Sequence, residues 1–175
     1  MPGFGPVGAA VIEQFLSLSE NAIALADIGA AFFGETPPYQ PLLDKKLAKL
    51  FAFEPDPREI EKLRRHLGER GQVMPYAIGD GATHMFHRCP DRSGMSSLLE
   101  PDPENLAFFN MFPVFGRVEA TAPMATRRLD EVSELPQLDF LKMDVQGAEL
   151  MVLQNGRKKL SDCVAVQVEV SFITL

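Results

Sequence analysis

Apolar runs alternate with amphipathic segments along most of the chain, which is typical of a parallel sheet whose strands are joined by helices. Short apolar runs bounded by turn residues predict buried strands. We expect five of them, over residues 22–29, 50–54, 73–78, 138–145 and 163–170. Five such strands with intervening helices predict a doubly wound α/β fold, a mostly parallel sheet with helices on both faces.

The helix between the second and third predicted strands has clear signals at both ends. Asp56 can cap its first turn, Pro57 suits the first helical position, and Glu59 completes the D-x-x-E pattern of a capping box. Gly68 or Gly71 ends it. The sequence therefore predicts a helix that begins at residue 57.

Other helices are predicted from apolar residues at helical spacing. They lie in an N-terminal helical segment within residues 1–20, at Leu43, Leu47 and Leu50, and directly after Ala148. The 175 residues suit a single domain spanning 1–175.

Residues 90–117 differ from the rest of the chain because they contain four prolines and a cluster of phenylalanines. We interpret them as an insertion or lid with a short helix near 104–111. The segments 83–88 and 118–127, on either side, are predicted to be extended.

Composition and charge narrow the class of protein. Apolar residues make up 46% and charged residues 23% of the chain, which argues against disorder. The 17 Lys+Arg against 24 Asp+Glu leave a formal net charge of −7, so no overall positive field favours nucleic acid or an anionic membrane. No membrane span and no basic signal segment are expected, so the prediction is a cytoplasmic protein with reduced cysteines, Cys89 and Cys163.

An acidic residue lies at or next to the carboxyl end of each of the five predicted strands. These residues are Asp27, Glu54, Asp80, Asp144 and Glu169. Ligands of open parallel sheets lie beyond the carboxyl ends of the strands, although any one acid is also explained as a helix cap or turn residue. Together they favour a ligand with hydroxyl, amino and cationic groups, such as a nucleoside sulfonium. A phosphate is disfavoured because no G-x-x-x-x-G-K-[ST] occurs and no G-x-G-x-x-G follows a predicted strand.

A metal centre is not predicted. His84 and His87 are three residues apart in a predicted strand and therefore point to opposite faces.

Ion pairing is expected around the fourth predicted strand. Lys142 and Glu149 are expected to pair with one another or with Asp144.

Six segments carry a family resemblance, in this order along the chain: Asp27-Ile-Gly-Ala, Phe53-Glu-Pro-Asp-Pro, Ala77-Ile-Gly-Asp, Ser96-Ser-Leu, Arg128-Leu-Asp and Asp139-Phe-Leu-Lys-Met-Asp-Val-Gln-Gly-Ala-Glu. They resemble the FkbM family of S-adenosylmethionine-dependent methyltransferases. The resemblance implies a Rossmann-like methyltransferase fold, S-adenosylmethionine as cofactor, and O-methylation of a hydroxyl on a sugar, glycan or secondary metabolite.

The resemblance also implies roles for individual positions. Asp27, Gly29 and Ala30 would border the methionine portion of the cofactor, Glu54 would bind the ribose hydroxyls, Gly79 and Asp80 would lie near adenine, and Asp144 would lie near the transferring methyl group. Asp144, or a nearby histidine such as His87, is the candidate base for the acceptor hydroxyl.

Several features depart from the family pattern. Ala31 and Phe33 replace an asparagine and a glycine of the first turn, Gln146 replaces a glutamate, and the chain stops at Leu175, where the family adds two strands and a helix. An alternative interpretation is therefore a truncated or degenerate cofactor-binding domain without turnover. A nicotinamide-dependent oxidoreductase is a third, which the glycine pattern disfavours.

Overall fold

The computed structural model describes residues 22–31, 34, 36–91 and 93–170. The predicted N-terminal helical segment and Phe33 lie outside the described residues. Within these residues the strands are β1 (Ile23–Ile28), β2 (Ala48–Phe53), β3 (Gly71–Met74), β4 (Ala77–Ile78), β5 (Thr83–Arg88), β6 (Ala120–Arg127), β7 (Phe140–Met143) and β8 (Ala165–Val168). The α-helices are α1 (Gln40–Asp44), α2 (Pro57–Leu67), α3 (Pro103–Leu106), α4 (Phe112–Phe115) and α5 (Glu149–Gln154).

Five strands form one parallel sheet in the order β3-β2-β1-β7-β8. The strand order reverses between β1 and β7, so a crevice opens at the carboxyl ends of these two strands. The predicted α/β fold with a parallel sheet is therefore confirmed.

The core has two parts because successive residues of a buried strand face opposite sides of the sheet. On one side Ile28 and Phe53 pack in a cluster that includes Val152 of α5. On the other side Leu25 packs in a cluster that includes Leu63 of α2. Helices thus cover both faces.

Helix α2 begins and ends where the sequence predicts, but its capping box is not formed. The Asp56 carboxylate accepts a hydrogen bond from the backbone N–H of Arg58 at 2.9 Å, and Gly68 follows the helix with φ +55°. The backbone N–H of Asp56 donates to Glu54 Oε1 at 2.7 Å, whereas the Glu59 carboxylate pairs with Lys62. Glu54, from the preceding strand end, therefore takes the partner that a capping box assigns to Glu59.

Two predicted helices are shorter or divided. Helix α1 ends at Asp44, and Leu50 lies in β2. The helix predicted near 104–111 is replaced by α3 and α4, because Met111 has φ +70° and interrupts any continuous helix.

The third predicted strand is divided between two sheets. Residues 71–74 form the edge strand β3, and Ala77–Ile78 join a smaller sheet in the order β4-β6-β5. Pro75 lies between the two pieces and has no N–H to donate to a strand ladder, which explains the break. The predicted extended segments 83–88 and 118–127 form β5 and β6, which pair antiparallel.

No helix in the described ranges is long and apolar enough to cross a membrane.

Candidate functional site

A cavity open to solvent, with about 870 Å³ of empty space that includes its open mouth, lies at the carboxyl edge of the main sheet. Gly29, Glu54 and Asp144, which follow β1, β2 and β7, line it together. The sheet therefore brings three of the predicted site residues into one crevice at the point where strand order reverses.

Gly29 and Asp144 meet at the centre of this edge. Gly29 has φ +81°, and a Cβ at this position would lie 1.9 Å from the backbone oxygen of Asp144. The backbone N–H of Asp144 donates to the carbonyl of Ile28 at 3.0 Å. A glycine is needed here both for the positive φ and for the close approach of β1 to β7.

The Asp144 carboxylate accepts a hydrogen bond of 2.6 Å from Gln146 Nε2. Gln146 is one of the departures from the family pattern, and it also lines the cavity. The carboxylate of Glu149 has other hydrogen-bond partners, since its Oε1 accepts from the backbone N–H groups of Val145 and Gly147. The amide of Gln146 thus helps to hold Asp144 in this wall.

Glu54 is a buried carboxyl with an unusual protonation equilibrium. It is 5% exposed, and burial raises the pKa of Glu54 to about 7, although the hydrogen bond from the backbone of Asp56 opposes this shift. That N–H donates to Glu54 Oε1 at 2.7 Å, and the carboxyl lines the cavity.

Asp27 lies beneath the cavity and is not among its lining residues. It is 3% exposed, and its carboxylate accepts from the Tyr39 hydroxyl at 2.5 Å and from Lys142 Nζ at 2.9 Å. Burial raises the pKa of Asp27, and the Lys142 ammonium opposes that change. The expected pairing of Lys142 with Glu149 or Asp144 is therefore wrong: Lys142 pairs with Asp27.

Ala30, Gly79 and Asp80 also lie outside the cavity lining. Ala30 is buried against α1 and α2, and a Cβ on Gly79 would lie 2.9 Å from Thr126. Asp80 Oδ1 accepts from the backbone N–H of Ala82 at 2.9 Å and lies 2.8 Å from His84 Nε2. The hydrogen bond with His84 lowers the pKa of Asp80. Thr126 Oγ1 of β6 also donates to Asp80 Oδ1, at 3.4 Å, so protein groups from both β5 and β6 engage this carboxylate.

The smaller sheet supplies cavity walls that the sequence did not predict. Phe86 of β5 and Met124 of β6 line the cavity, together with Tyr76 and Ile78 around β4. These residues carry no local signal of a binding role, since apolar residues in strands are most often core. Pairing of the distant strands β5 and β6 is what turns them toward the main sheet.

The Ser96-Ser-Leu segment also lines the cavity, although only its resemblance to the family motif pointed to it. Ser97 Oγ donates to the carbonyl of Gln146 at 2.8 Å, and the backbones of Ser97 and His87 are hydrogen-bonded to each other. The beginning of the 90–117 segment is therefore tied both to β5 and to the loop that carries Asp144.

Acidic side chains predominate among the charged residues that line the cavity. They are Glu54, Asp56, Glu59, Asp91 and Asp144. Arg58 is the cation among the described lining residues, and it binds the carboxylate of Asp56 through Nε and Nη2 at 2.9 and 2.6 Å. In the part of the chain that the structure describes, no group of three or more His, Cys, Asp or Glu side chains is placed to hold a metal ion. The lining suits a neutral or cationic ligand with hydroxyl groups.

A parallel α/β sheet with a cavity at its switch point defines the class of doubly wound α/β domains. The family model for the methyltransferase FkbM domain matches residues 27–174, and the chain belongs to this family. It is 29% identical over 173 residues to the 2-O-methyltransferase NoeI of Sinorhizobium fredii (strain NBRC 101917 / NGR234), with 92% of this chain and 69% of the relative covered. No solved structure matches the chain significantly.

Proposed function

We propose that the protein is an S-adenosylmethionine-dependent methyltransferase that methylates a hydroxyl group of a sugar, glycan or other small metabolite. The observation that carries the proposal is the cavity shared by Gly29, Glu54 and Asp144 at the switch point of the sheet. Membership of the FkbM family supports methyl transfer, and the 2-O-methyltransferase relative supports a hydroxyl acceptor.

The residues present suit this cofactor. Glu54 is a lining carboxyl that can accept from the ribose hydroxyls, and the partly exposed Tyr76 and Phe86 offer apolar surface for a nucleoside. Asp144 follows β7, two strands away from β2 and Glu54, and it adds negative charge to the same cavity. This charge would attract the positive sulfonium end of the cofactor. The one lining cation, Arg58, is already paired with Asp56, so a phosphate-bearing ligand finds no free positive charge among the described lining residues.

When bound, the cofactor supplies an electrophilic methyl group on a positively charged sulfur. The acceptor oxygen forms a bond to the methyl carbon as the carbon–sulfur bond breaks, and the bonding electrons stay on sulfur. The acceptor proton passes to a base, for which Asp144 is the candidate in the cavity. The principal contribution of the protein is to hold the oxygen and the methyl carbon close and in line.

Titration calorimetry of the full chain with S-adenosylmethionine and S-adenosylhomocysteine tests cofactor binding. We expect Glu54→Ala to weaken both strongly, and Glu61→Ala to leave both unchanged. Glu61 is the matched control because it is an exposed acid of the same helix region, with 68% of its side chain accessible. A folded wild-type chain that binds neither compound would overturn the proposal.

Turnover is tested with a tritium-labelled methyl donor and a panel of free sugars and methyl glycosides. Labelled ether products that disappear in Asp144→Asn support O-methylation. Tight cofactor binding without transfer to any hydroxyl acceptor in the panel would favour a cofactor-binding domain without turnover.

A further inference from the structure

A buried polar network lies directly beneath the cavity. The carboxylate of Asp27 accepts from Tyr39 through Oδ2 and from Lys142 through Oδ1, at 2.5 and 2.9 Å. Asp27 and Tyr39 are 3% and 6% exposed, while the Lys142 side chain is 21% exposed. Both carboxylate oxygens are therefore engaged by protein donors in a place that water barely reaches.

The network joins the two strands whose ends meet in the cavity. Asp27 of β1 and Lys142 of β7 are partners in the parallel register. Gly29 and Asp144 come two residues later, directly after the ends of these strands, and they are in contact. The ion pair therefore lies two residues before the Gly29–Asp144 contact on both segments.

Tyr39 adds a third segment to this anchor. It immediately precedes α1 and packs in the cluster formed by Leu25, Leu43 and Leu63. Its hydroxyl thus connects the chain leading into α1 to the end of β1. Hydrogen bonds to an ionised carboxylate are stronger than those between neutral groups.

We propose that Asp27 is a buried anchor for the cavity edge and that Tyr39 and Lys142 are positioning residues, which set ligand affinity by fixing Gly29 and Asp144. This inference rests on the proposed function for the identity of the ligand. It differs from the role implied by the family resemblance, in which Asp27 borders the cofactor. It also means that the charge of Asp27 is balanced by Lys142 and adds little to the attraction of a cationic ligand.

A double-mutant cycle on the full chain separates an anchor from a ligand contact. The variants are Asp27→Asn, Lys142→Met and the two together, and the measurements are the affinity for S-adenosylhomocysteine and the urea midpoint of unfolding. Lys158→Met is the control, since its side chain lies in an exposed turn after α5. Lys142→Met leaves a buried carboxylate without its cation, so we expect lower stability and about tenfold weaker binding.

The double variant is the decisive arm. Asparagine can still accept from Tyr39, and without Lys142 no charge is buried alone, so we expect the double variant to recover affinity to within about threefold of wild type. If Asp27 contacts the ligand through its charge, the double variant binds as weakly as Asp27→Asn alone, and the proposal is overturned.

Tyr39→Phe is a second test of the positioning role, because it removes the hydroxyl that donates to Asp27 and keeps the ring. We expect the backbone amide resonances of Gly29 and Asp144 to shift in this variant and ligand binding to weaken. Unchanged resonances and affinity would contradict a positioning role. If the wild-type chain binds no S-adenosylhomocysteine, the proposed function fails, whereas coupling between positions 27 and 142 in the unfolding data still decides whether the anchor exists.

Discussion

The backbone oxygen of Asp144 lies 1.9 Å from the point where a Cβ on Gly29 would stand. This contact brings the ends of β1 and β7 together at the switch point, and both residues line the cavity. The distance is well inside van der Waals contact, so any side chain at position 29 must displace β7 or the turn after β1.

We expect Gly29→Ala to lower the free energy of unfolding by about 2 kcal/mol or more and to abolish ligand binding, since strain at positive φ adds to the steric clash. Urea unfolding and calorimetry with S-adenosylhomocysteine measure the two effects. Gly68→Ala is the control, because Gly68 has φ +55° and a Cβ there would meet no atom within 4 Å. A Gly29→Ala loss no larger than that of Gly68→Ala would contradict the importance of the contact.

Above neutral pH the ionised Glu54 carboxylate should lower the free energy of unfolding, although the same carboxylate supports cofactor binding. Its pKa is about 7 in the folded chain, against an ordinary 4.5, because the carboxyl is buried. A raised pKa means that the folded state holds the proton more tightly, so its contribution to stability is present below about pH 4.5 and lost as the pH rises through 7.

Glu54→Gln removes this titration. At about pH 8 we expect the variant to be more stable than wild type by on the order of 1–3 kcal/mol, and the difference should vanish toward pH 4.5. The same substitution should weaken cofactor binding at about pH 8. Urea midpoints measure the stability difference and calorimetry measures the change in binding across this pH range. A variant that is less stable than wild type at high pH would show that burial does not raise the pKa of Glu54.

Helix α2 should depend on Asp56 more than on an intact capping box. Asp56→Ala loses the hydrogen bond to the backbone of Arg58, and we expect the free energy of unfolding to fall by about 1 kcal/mol. Asp56→Asn keeps an acceptor at the same place and should lose less. Equal losses in the two variants, measured by urea unfolding, would mean that the ion pair with Arg58 rather than the cap is what stabilises the helix.

Glu169 follows β8 next to Asp144, since Val168 and Met143 are in register and the Glu169 N–H donates to the Met143 carbonyl at 3.1 Å. The negative charge of Asp144, together with burial, raises the pKa of Glu169, while Lys142 acts in the opposite direction. We therefore expect Asp144→Asn to lower the pKa of Glu169 toward its ordinary value.

Carbon-13 NMR of labelled glutamate carboxyls follows that titration directly. Asp162→Asn serves as control, because Asp162 precedes β8 at its opposite end. An unchanged Glu169 midpoint in Asp144→Asn would show that the two carboxyls do not interact.

Local signals in the sequence were sufficient to predict that the strands of the main sheet exist. Strands such as β1 are mostly apolar runs. The start of α2 is also a local signal, because Asp56 caps the first turn and Pro57 already has the φ of a helix. Gly29, Glu54 and Asp144 could be placed at one edge because all parallel strands end on the same side. One strand was expected over residues 73–78, and only the structure showed that the chain breaks at Pro75 and changes sheets there.

The partner of Asp27 was decided by tertiary structure alone. Asp27 and Lys142 are 115 residues apart, and the pairing depends on the register between β1 and β7, which no local pattern encodes. The sequence assigned Asp80 to a ligand, whereas the fold gives its carboxylate protein partners, of which Thr126 comes from the distant strand β6. The amino-acid sequence by itself determined the fold class, the family and the edge where the cavity lies, because these follow from short-range periodicity and motifs. Which acids face that cavity, and which are paired with other side chains outside its lining, depends on contacts between distant strands.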